Sequence, residues 1–176
     1  CLKWYQKEGT HYIRKPPNRI FMTDLNFRPT LYIDQYELTM AQGYFFHGQK
    51  DVMANFDYFF RKIPFDGGYV VFAGLFDLLH MIASFRFEED DIPFLREQGF
   101  KEDFLKYLGN FRFSGDIKAV PEGEIIFPNE PVVSIKAPII EAQLLETIVL
   151  NMLNFQSLVA TKAARIKNAA GGRQVI

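Results

Sequence analysis

This sequence of 176 residues has little cysteine, no long apolar run and almost no net charge. Its one cysteine, Cys1, excludes a disulfide within the sequence and favours a reducing compartment. Because no stretch of about 18 consecutive apolar residues occurs, we expect no membrane-spanning helix. The formal net charge of −1 provides no electrostatic basis for binding nucleic acid or an anionic membrane surface.

Short catalytic motifs are missing as well. The sequence contains neither the glycine-rich loop of P-loop nucleotide-binding proteins nor the G-x-G-x-x-G segment of dinucleotide-binding folds. It has no nucleophile elbow, and its three histidines, His11, His47 and His80, are too far apart to suggest a zinc site. The residues alone therefore indicate an α/β domain without naming its chemistry.

The sequence is rich in material for a core. Hydrophobic residues make up 48% of it, and 19 of its residues are Phe, which argues against disorder. Residues 1–21 differ from the rest, because they carry five Lys/Arg against one Glu and lack the apolar centre of a secretory signal. Met22 follows, and we expect residues 1–22 to be an extension outside the fold.

The first predicted helix lies in the segment 33–46, IDQYELTMAQGYFF. Asp34 and Glu37 have the spacing of a capping box, in which each side chain bonds the backbone N–H of the other residue. The segment 51–62, DVMANFDYFFRK, alternates apolar and mixed positions and predicts a strand with one apolar face. Arg61 is expected at the end of this strand, before a turn at PFDGG.

Helices and short strands follow in the central part of the sequence. Leucines spaced three and four apart after residue 74 predict one helix, and two short acidic helices are expected near 89–98 and 102–109. GDIKAV, GEIIF and PVVSIKA then predict three short strands separated by PEG and PNEP turns.

A long apolar helical pattern occupies the last part of the sequence, from about residue 139 to 170. Its length predicts either one long helix or two abutting helices, with Asn151 and Asn154 near the candidate join. Gly171-Gly172 predicts the helix stop before a strand that opens at Val175. The order of elements indicates an α+β region that turns into α/β. The apolar face of the helix is expected to contain Leu145, Ile148, Met152, Phe155 and Val159.

Three long motifs carry a family resemblance. They are DQYELTMAQGYF, FDYFFRKIPFDGGYVVFAGL, and the segment from PEGEIIFPNEPVVSIKAP to LVATKAARIKNAAGGR. In order and spacing, residues from about 30 to 176 resemble the N-terminal portion of nicotinate phosphoribosyltransferase. The family pattern usually has Leu at the position of Gln35 and Gln at the position of Glu37.

The resemblance implies a fold and an activity. The fold is an N-terminal α+β domain, expected over residues 23–140, followed by the first helix and strand of an irregular, type II phosphoribosyltransferase α/β barrel, expected over residues 141–176 and truncated. The family forms nicotinate mononucleotide from nicotinate and 5-phosphoribosyl 1-diphosphate in NAD biosynthesis, driven by ATP through a phosphohistidine and assisted by Mg²⁺. The resemblance also implies a cytoplasmic homodimer whose sites are shared between the subunits. It further implies that the fragment alone is inactive, because ATP and Mg²⁺ bind mainly to the absent barrel.

Two residues of this sequence match substrate-binding positions of the family. Tyr36 corresponds to the tyrosine that stacks on the pyridine ring of nicotinate, close to a helix N-terminus that favours the substrate carboxylate. Arg61 corresponds to an arginine that reaches the phosphoribosyl phosphate. Lys162 and Arg165 are interpreted as a solvated helix face or as members of ion pairs. Glu141 and Glu146 are candidate partners either for them or for the partner subunit, and no catalytic residue is assigned.

Three alternatives remain open. One is a phosphoribosyltransferase of the same architecture that uses quinolinate or nicotinamide. Another is a carrier domain of the biotinyl or lipoyl type, with Lys136 as the modified residue, although Lys136 is expected inside a strand and not at a hairpin tip. The last is a non-catalytic dimerisation module, whose bare apolar helix at 142–160 would make it poorly soluble alone.

Overall fold

The computed structural model describes residues 29–175, which form helices and short strands. Short 3₁₀ turns lie at Pro29–Leu31 and Pro64–Asp66. The expected extension over residues 1–22 lies outside the described residues. The elements are α1 (Gln35–Phe46), β1 (Met53–Tyr58), β2 (Val70–Val71), α2 (Leu75–Ser84), α3 (Asp91–Glu97), α4 (Glu102–Gly109), β3 (Asp116–Ala119), β4 (Ile125–Ile126), β5 (Val133–Pro138), α5 (Ile139–Gln143) and α6 (Glu146–Ala169).

The strands form two antiparallel sheets. One has the order β1-β5-β3, and the other pairs β2 with β4. The three strands expected between residues 111 and 138 are confirmed, but β4 does not join its two sequence neighbours. Strand β4 pairs with β2 instead, and two flanking hydrogen bonds extend this pairing. The Phe72 N–H donates to the Glu124 carbonyl over 2.9 Å, and the Gly123 N–H donates to the Phe72 carbonyl over 2.8 Å.

Strand β1 has the predicted alternation. Ala54 and Phe56 are half-buried and Tyr58 is buried, whereas Asn55 and Asp57 are exposed. The strand ends at Tyr58, so the prediction that Arg61 ends it is wrong by three residues. Beyond the strand, the chain stays attached to the segment before β5. The Val132 N–H donates to the Tyr58 carbonyl over 2.8 Å, and the Asn129 N–H donates to the Phe60 carbonyl over 2.9 Å.

The core lies between the three-stranded sheet and the helices. Helices α2, α3 and α4 agree closely with the predicted ranges. Aromatic rings fill the space that they enclose, and Phe85 packs edge-on against Phe111 with a centroid distance of 5.5 Å. The largest fully buried side chains are Phe72, Phe85, Phe104, Leu78, Ile82, Leu95, Leu105, Leu108, Ile140, Leu144, Leu145 and Ile148.

The long C-terminal helical segment is divided in two, as one of the predicted alternatives required. The join lies at Leu144-Leu145, so the prediction that Asn151 and Asn154 mark it is wrong. Both leucines are fully buried, and packing of this pair into the core decides the position of the break. Helix α5 packs against α1, β1 and β5, and α6 packs against α2 and β2. The predicted division at residue 140 stays a prediction.

The prediction of a buried apolar face on α6 is confirmed for the first half of the helix and wrong for the second half. Leu145, Ile148 and Met152 are buried, but Phe155 is 68% exposed and Val159 is 52% exposed. In the second half of the helix the buried face is polar. There the Val71 N–H donates to Thr161 Oγ1 over 2.9 Å and the Ala73 N–H donates to Ser157 Oγ over 3.1 Å. The helix supplies hydrogen-bond acceptors to the edge of β2, so small polar residues face the core.

The C-terminal end of α6 follows the prediction in part. The helix stops at Ala169, and Gly171 and Gly172 take positive φ angles of 55° and 87° that suit glycine. The strand predicted to open at Val175 is not present in residues 173–175. The sequence predicted no membrane-spanning helix, because it has no long run of consecutive apolar residues. By length and composition alone, Ile139–Ala169 is nevertheless long and apolar enough to cross a membrane. However, 44% of its most apolar stretch is buried inside the structure.

Candidate substrate-binding site

Tyr36 lies in the first turn of α1, and its side chain is 47% exposed. It is therefore not a core tyrosine, and about half of the residue is accessible. Desolvation and the neighbouring carboxylate of Glu146, at the start of α6, raise the pKa of Tyr36 to about 12. The phenol stays protonated at neutral pH, so the ring is an uncharged aromatic surface with a hydroxyl near Glu146.

The predicted capping box is not formed. Asp34 is the N-cap residue of α1, but its side chain makes no capping hydrogen bond. The Glu37 side chain does not reach back to Asp34. Instead, Glu37 Oε1 accepts hydrogen bonds from the Thr147 N–H over 3.0 Å and from the Thr147 hydroxyl over 2.6 Å. The free N–H groups of α6 compete successfully for this carboxylate because Glu37 is fully buried and faces α6.

Two helix N-termini thus meet beside Tyr36. The Thr147 hydroxyl also accepts a hydrogen bond from the Asp34 N–H over 3.4 Å, which links the first turns of α1 and α6 on a second path. The positive ends of both helix dipoles favour a negatively charged group here. The carboxylates of Asp34, Glu37 and Glu146 oppose that preference, because their negative charges repel an anion.

Glu37 has an unusual protonation equilibrium. Burial is the largest cause, and together with the charges of Glu146 and Asp34 it raises the pKa of Glu37 to about 7, against the lowering effect of the Thr147 hydrogen bonds. An ordinary glutamate is ionised throughout the neutral range. Glu37 therefore changes charge near neutral pH, one residue away from the exposed ring of Tyr36.

Arg61 lies in a bend beyond β1 and is exposed. Among residues 29–175 we find no hydrogen bond or ion pair that involves its guanidinium. Lys62 is exposed beside it. An arginine in an exposed bend, with no partner among residues 29–175, can offer two parallel N–H donors to a phosphate or carboxylate group.

The turn that follows Arg61 is held by α6. Phe65 has a positive φ of 61°, which is rare for a bulky residue. The Arg165 Nη1 donates to the Phe65 carbonyl over 2.6 Å, and the Lys162 ammonium lies 5.9 Å from the centre of the Phe65 ring. A Cβ at Gly67 would lie 2.6 Å from Arg165 Nη1, so a side chain there would displace the guanidinium.

Lys162 is exposed, as the interpretation of a solvated helix face requires, whereas Arg165 is half-buried. Both side chains also contact the turn at Phe65, which was not predicted. Glu141 and Glu146 do not pair with them, because Glu141 accepts from the Ser114 N–H over 2.6 Å and Glu146 accepts from the Gln143 amide over 2.8 Å. No sequence signal indicated the turn as a partner, since it lies 100 residues away along the chain.

The two predicted site residues do not meet within one chain. Tyr36 neighbours Glu146 at the start of α6, whereas the turn after Arg61 contacts α6 at Arg165. Nineteen helical residues at about 1.5 Å each separate these contacts by about 28 Å along the axis. Tyr58, between Tyr36 and Arg61 in sequence, bonds Asn154 in the middle of α6.

Sequence reasoning missed Glu37 and Thr147 as partners, because the capping-box spacing offered a local explanation for Glu37. A metal site is not formed by this part of the chain: over residues 29–175, no group of three or more His, Cys, Asp or Glu side chains converges.

Comparisons with known proteins agree on one family. The family model of the nicotinate phosphoribosyltransferase N-terminal domain matches residues 31–154. The nicotinate phosphoribosyltransferase pncB2 of Mycobacterium tuberculosis is 50% identical over 147 residues, which cover 83% of this chain and 32% of that protein. The chain spans between a quarter and a third of the length of the curated relatives that it matches.

Solved structures support the same grouping. The crystal structure of human nicotinic acid phosphoribosyltransferase superposes with a TM-score of 0.75 and 35% identity, covering 81% of this chain and 29% of that one. Nicotinate-nucleotide pyrophosphorylase from Pyrococcus furiosus superposes with a TM-score of 0.63 over 93% of this chain and 33% of that one. Its 19% identity supports a shared fold and nothing further.

Proposed function

The chain belongs to the nicotinate phosphoribosyltransferase family, and from this membership we propose that it is the N-terminal part of an enzyme that makes nicotinate mononucleotide. The substrates are nicotinate and 5-phosphoribosyl 1-diphosphate, and diphosphate is released. The reaction belongs to the salvage route of NAD biosynthesis in the cytoplasm. The chain spans 32% of the pncB2 protein that it matches, so we expect it to be inactive without the rest of the enzyme.

The exposed ring of Tyr36 at the N-terminus of α1 is the observation that carries this proposal. A tyrosine that only filled the core would be buried, yet this ring is 47% exposed. The pyridine ring of nicotinate is flat and electron-poor, and stacking on an aromatic side chain stabilises it by about 0.5–1.5 kcal/mol beyond area burial. The N-termini of α1 and α6 favour the substrate carboxylate at the ring edge.

Arg61 is proposed to bind the phosphate of 5-phosphoribosyl 1-diphosphate. Its exposure and the lack of a partner in residues 29–175 support this role. The turn that Arg165 holds at Phe65 lies four residues further on, and a turn fixed in this way limits the positions that Arg61 can reach. We propose that the enzyme is a homodimer in which Tyr36 and Arg61 contribute to sites shared between subunits.

ATP and Mg²⁺ are proposed to bind mainly to the remainder of the enzyme. Residues 29–175 offer no converging set of metal ligands, and the residues that would carry a phosphohistidine step are not identified among them. What this chain supplies is the aromatic surface of Tyr36 and the cation of Arg61. Coupling to ATP hydrolysis, and with it the assignment as a ligase and transient phosphoprotein, depends on the remainder.

The carrier-domain alternative is disfavoured by the position of Lys136. This residue lies inside β5, where its backbone pairs with Asn55 on one side and Asp116 on the other. A lysine that is modified by a carrier-protein ligase must protrude at a hairpin tip, and the middle strand of a sheet does not allow this.

A substrate panel with the full-length enzyme tests the proposal. Nicotinate, nicotinamide and quinolinate are each incubated with 5-phosphoribosyl 1-diphosphate, Mg²⁺ and ATP, and the mononucleotide and diphosphate are quantified by chromatography. We expect turnover of nicotinate, with a higher rate in the presence of ATP. Turnover of quinolinate or nicotinamide in preference to nicotinate would reject the proposed substrate, and reactions without ATP measure the coupling.

A further inference from the structure

Glu37 is a buried acid with a partner on another element. Its side chain is fully buried in the first turn of α1. One oxygen, Oε1, receives both the N–H and the hydroxyl of Thr147, which is 110 residues later in the sequence. An apolar residue could fill this position, but it could not satisfy the free N–H at the start of α6.

The second oxygen of Glu37 has no partner among residues 29–175. Glu37 Oε2 is buried and receives no hydrogen bond from them. An unsatisfied buried oxygen destabilises a fold, and few remain in native proteins without a functional reason. We infer that the cost is offset by the other oxygen, Oε1, which holds the first turn of α1 against the first turn of α6.

The contact between the first turns of α1 and α6 determines the position of Tyr36 relative to α6. Tyr36 is the residue before Glu37 and neighbours Glu146, the residue before Thr147. The hydrogen bonds of Glu37 therefore join the turn that carries the exposed ring to the turn that carries the nearest carboxylate. If the two turns separate, the ring changes its position relative to α6 even though α1 itself stays intact.

We propose that Glu37 is a positioning residue for Tyr36, which holds the aromatic surface at the N-terminus of α6 through Thr147 and thereby sets the affinity for the pyridine substrate. The role rests on the nicotinate-binding function proposed above. Glu37 itself does not contact the substrate, because its side chain is buried behind the turn.

The charged groups around Glu37 make this role sensitive to pH. Asp34 lies on the same helix and Glu146 on α6, and both carboxylates disfavour a charge on Glu37. Helix α5, which packs against α1, contributes Glu141, which is bound by Ser114. As pH rises past neutrality, Glu37 ionises beside two carboxylates. Its charge strengthens the hydrogen bonds that Thr147 donates, but it opposes the negative charge of nicotinate.

Separate KM values for the two substrates in the full-length enzyme, at pH 6 and pH 8, test the proposal. Glu37→Ala removes both hydrogen bonds, and it should raise the KM for nicotinate on the order of tenfold while the KM for 5-phosphoribosyl 1-diphosphate stays within about twofold. Glu37→Gln keeps an acceptor for Thr147 and should match the wild type at pH 6. Between pH 6 and pH 8 the KM for nicotinate should rise in both proteins. The fold-increase in Glu37→Gln should be about threefold smaller than the fold-increase in the wild type.

A matched pair at Thr147 provides the test that does not depend on Glu37 variants folding. Thr147→Ser keeps the hydroxyl donor and should leave the KM for nicotinate within about twofold of the wild type. Thr147→Val keeps the shape but removes the hydroxyl and should raise that KM by about threefold or more. Amide hydrogen exchange at residue 147, which needs no activity, should accelerate in Glu37→Ala because the amide loses its acceptor.

Two results would overturn the positioning role in an enzyme that uses nicotinate. One is an equal rise of both KM values in Glu37→Ala, which indicates general damage to the fold. The other is an unchanged KM for nicotinate in both Glu37→Ala and Thr147→Val. If the wild type does not convert nicotinate at all, the proposed function fails and the positioning role fails with it, so the two failures are distinct.

Discussion

The guanidinium of Arg165 donates a 2.6 Å hydrogen bond to the carbonyl of Phe65, a residue held at a positive φ of 61°. The contact joins the last third of α6 to a turn 100 residues earlier. A side chain at Gly67 would displace the Arg165 guanidinium, because its Cβ would lie 2.6 Å from Arg165 Nη1. Three residues in two distant motifs therefore form one unit, and the unit can be tested by substitution.

The first prediction concerns this unit. Gly67→Ala should lower the free energy of unfolding by about 1 kcal/mol, because the new methyl group displaces the guanidinium and weakens its hydrogen bond. In an Arg165→Ala background the same change should cost much less, and urea unfolding of the four proteins gives the coupling energy. Gly68→Ala is the matched control, since a Cβ at Gly68 meets open space. Equal effects of Gly67→Ala in both backgrounds would contradict the steric explanation.

A second prediction addresses the exposed ring. In the full-length enzyme, Tyr36→Ala should raise the KM for nicotinate by about tenfold, because the stacking surface is lost. Tyr36→Phe keeps the ring and should change it by no more than about twofold. Both variants should unfold at nearly the temperature of the wild type, since the side chain is half exposed. Similar KM values for the two variants would exclude stacking.

Arg61 leads to a third prediction. Arg61→Ala in the full-length enzyme should raise the KM for 5-phosphoribosyl 1-diphosphate by roughly tenfold to a hundredfold, which is the effect of losing a charged hydrogen bond to phosphate. The KM for nicotinate should change little. Lys62→Ala, at the adjacent exposed position, serves as the control for removing one positive charge. If the two alanine variants behave alike, Arg61 is a surface charge.

The fourth prediction follows from the raised pKa of Glu37. A folded-state pKa of about 7 against an ordinary value of 4.5 means that the protonated form is favoured in the folded chain. Its contribution to stability is complete below pH 4.5 and is lost as pH rises through 7. Glu37→Gln cannot ionise, so between pH 4 and pH 8 it should gain roughly 3 kcal/mol relative to the wild type.

Urea unfolding of the chain at several pH values measures this gain. Glu130→Gln, at an exposed loop position, controls for the loss of one negative charge. A constant difference between wild type and Glu37→Gln across the pH range would mean that Glu37 does not change its protonation state within it.

A fifth prediction concerns the exposed apolar residues of α6. Phe155 and Val159 are four residues apart on one face of the helix and largely exposed. The chain expressed alone should self-associate with rising concentration, and Phe155→Gln with Val159→Gln should suppress this with a stability change within about 0.5 kcal/mol. Sedimentation analysis gives the association state. Asn151→Gln, also exposed on α6, should leave it unchanged; a monomeric wild type at high concentration would refute the prediction.

Much of the local structure was predictable because its signals are local. The alternation in β1, the leucine spacing in α2, the two acidic helices and the glycine pair after α6 each follow from a few neighbouring residues. The join at Leu144-Leu145 and the exposure of Phe155 were not predictable in this way. Both depend on what packs against the helix, and apolar spacing alone does not show that Ser157 and Thr161 must bond the edge of β2.

The same distinction applies to the candidate site. The three long sequence motifs were sufficient to place the chain in its family and to select Tyr36 and Arg61. Each motif is a contiguous stretch of sequence, so it can be recognised without knowledge of the fold. The role of Glu37 required the folded chain: its spacing from Asp34 predicts a local cap, yet its acceptor is used by Thr147, 110 residues away. Residue identity and short-range spacing specify elements and family, whereas the partners of a buried polar group are decided by which surfaces meet in space.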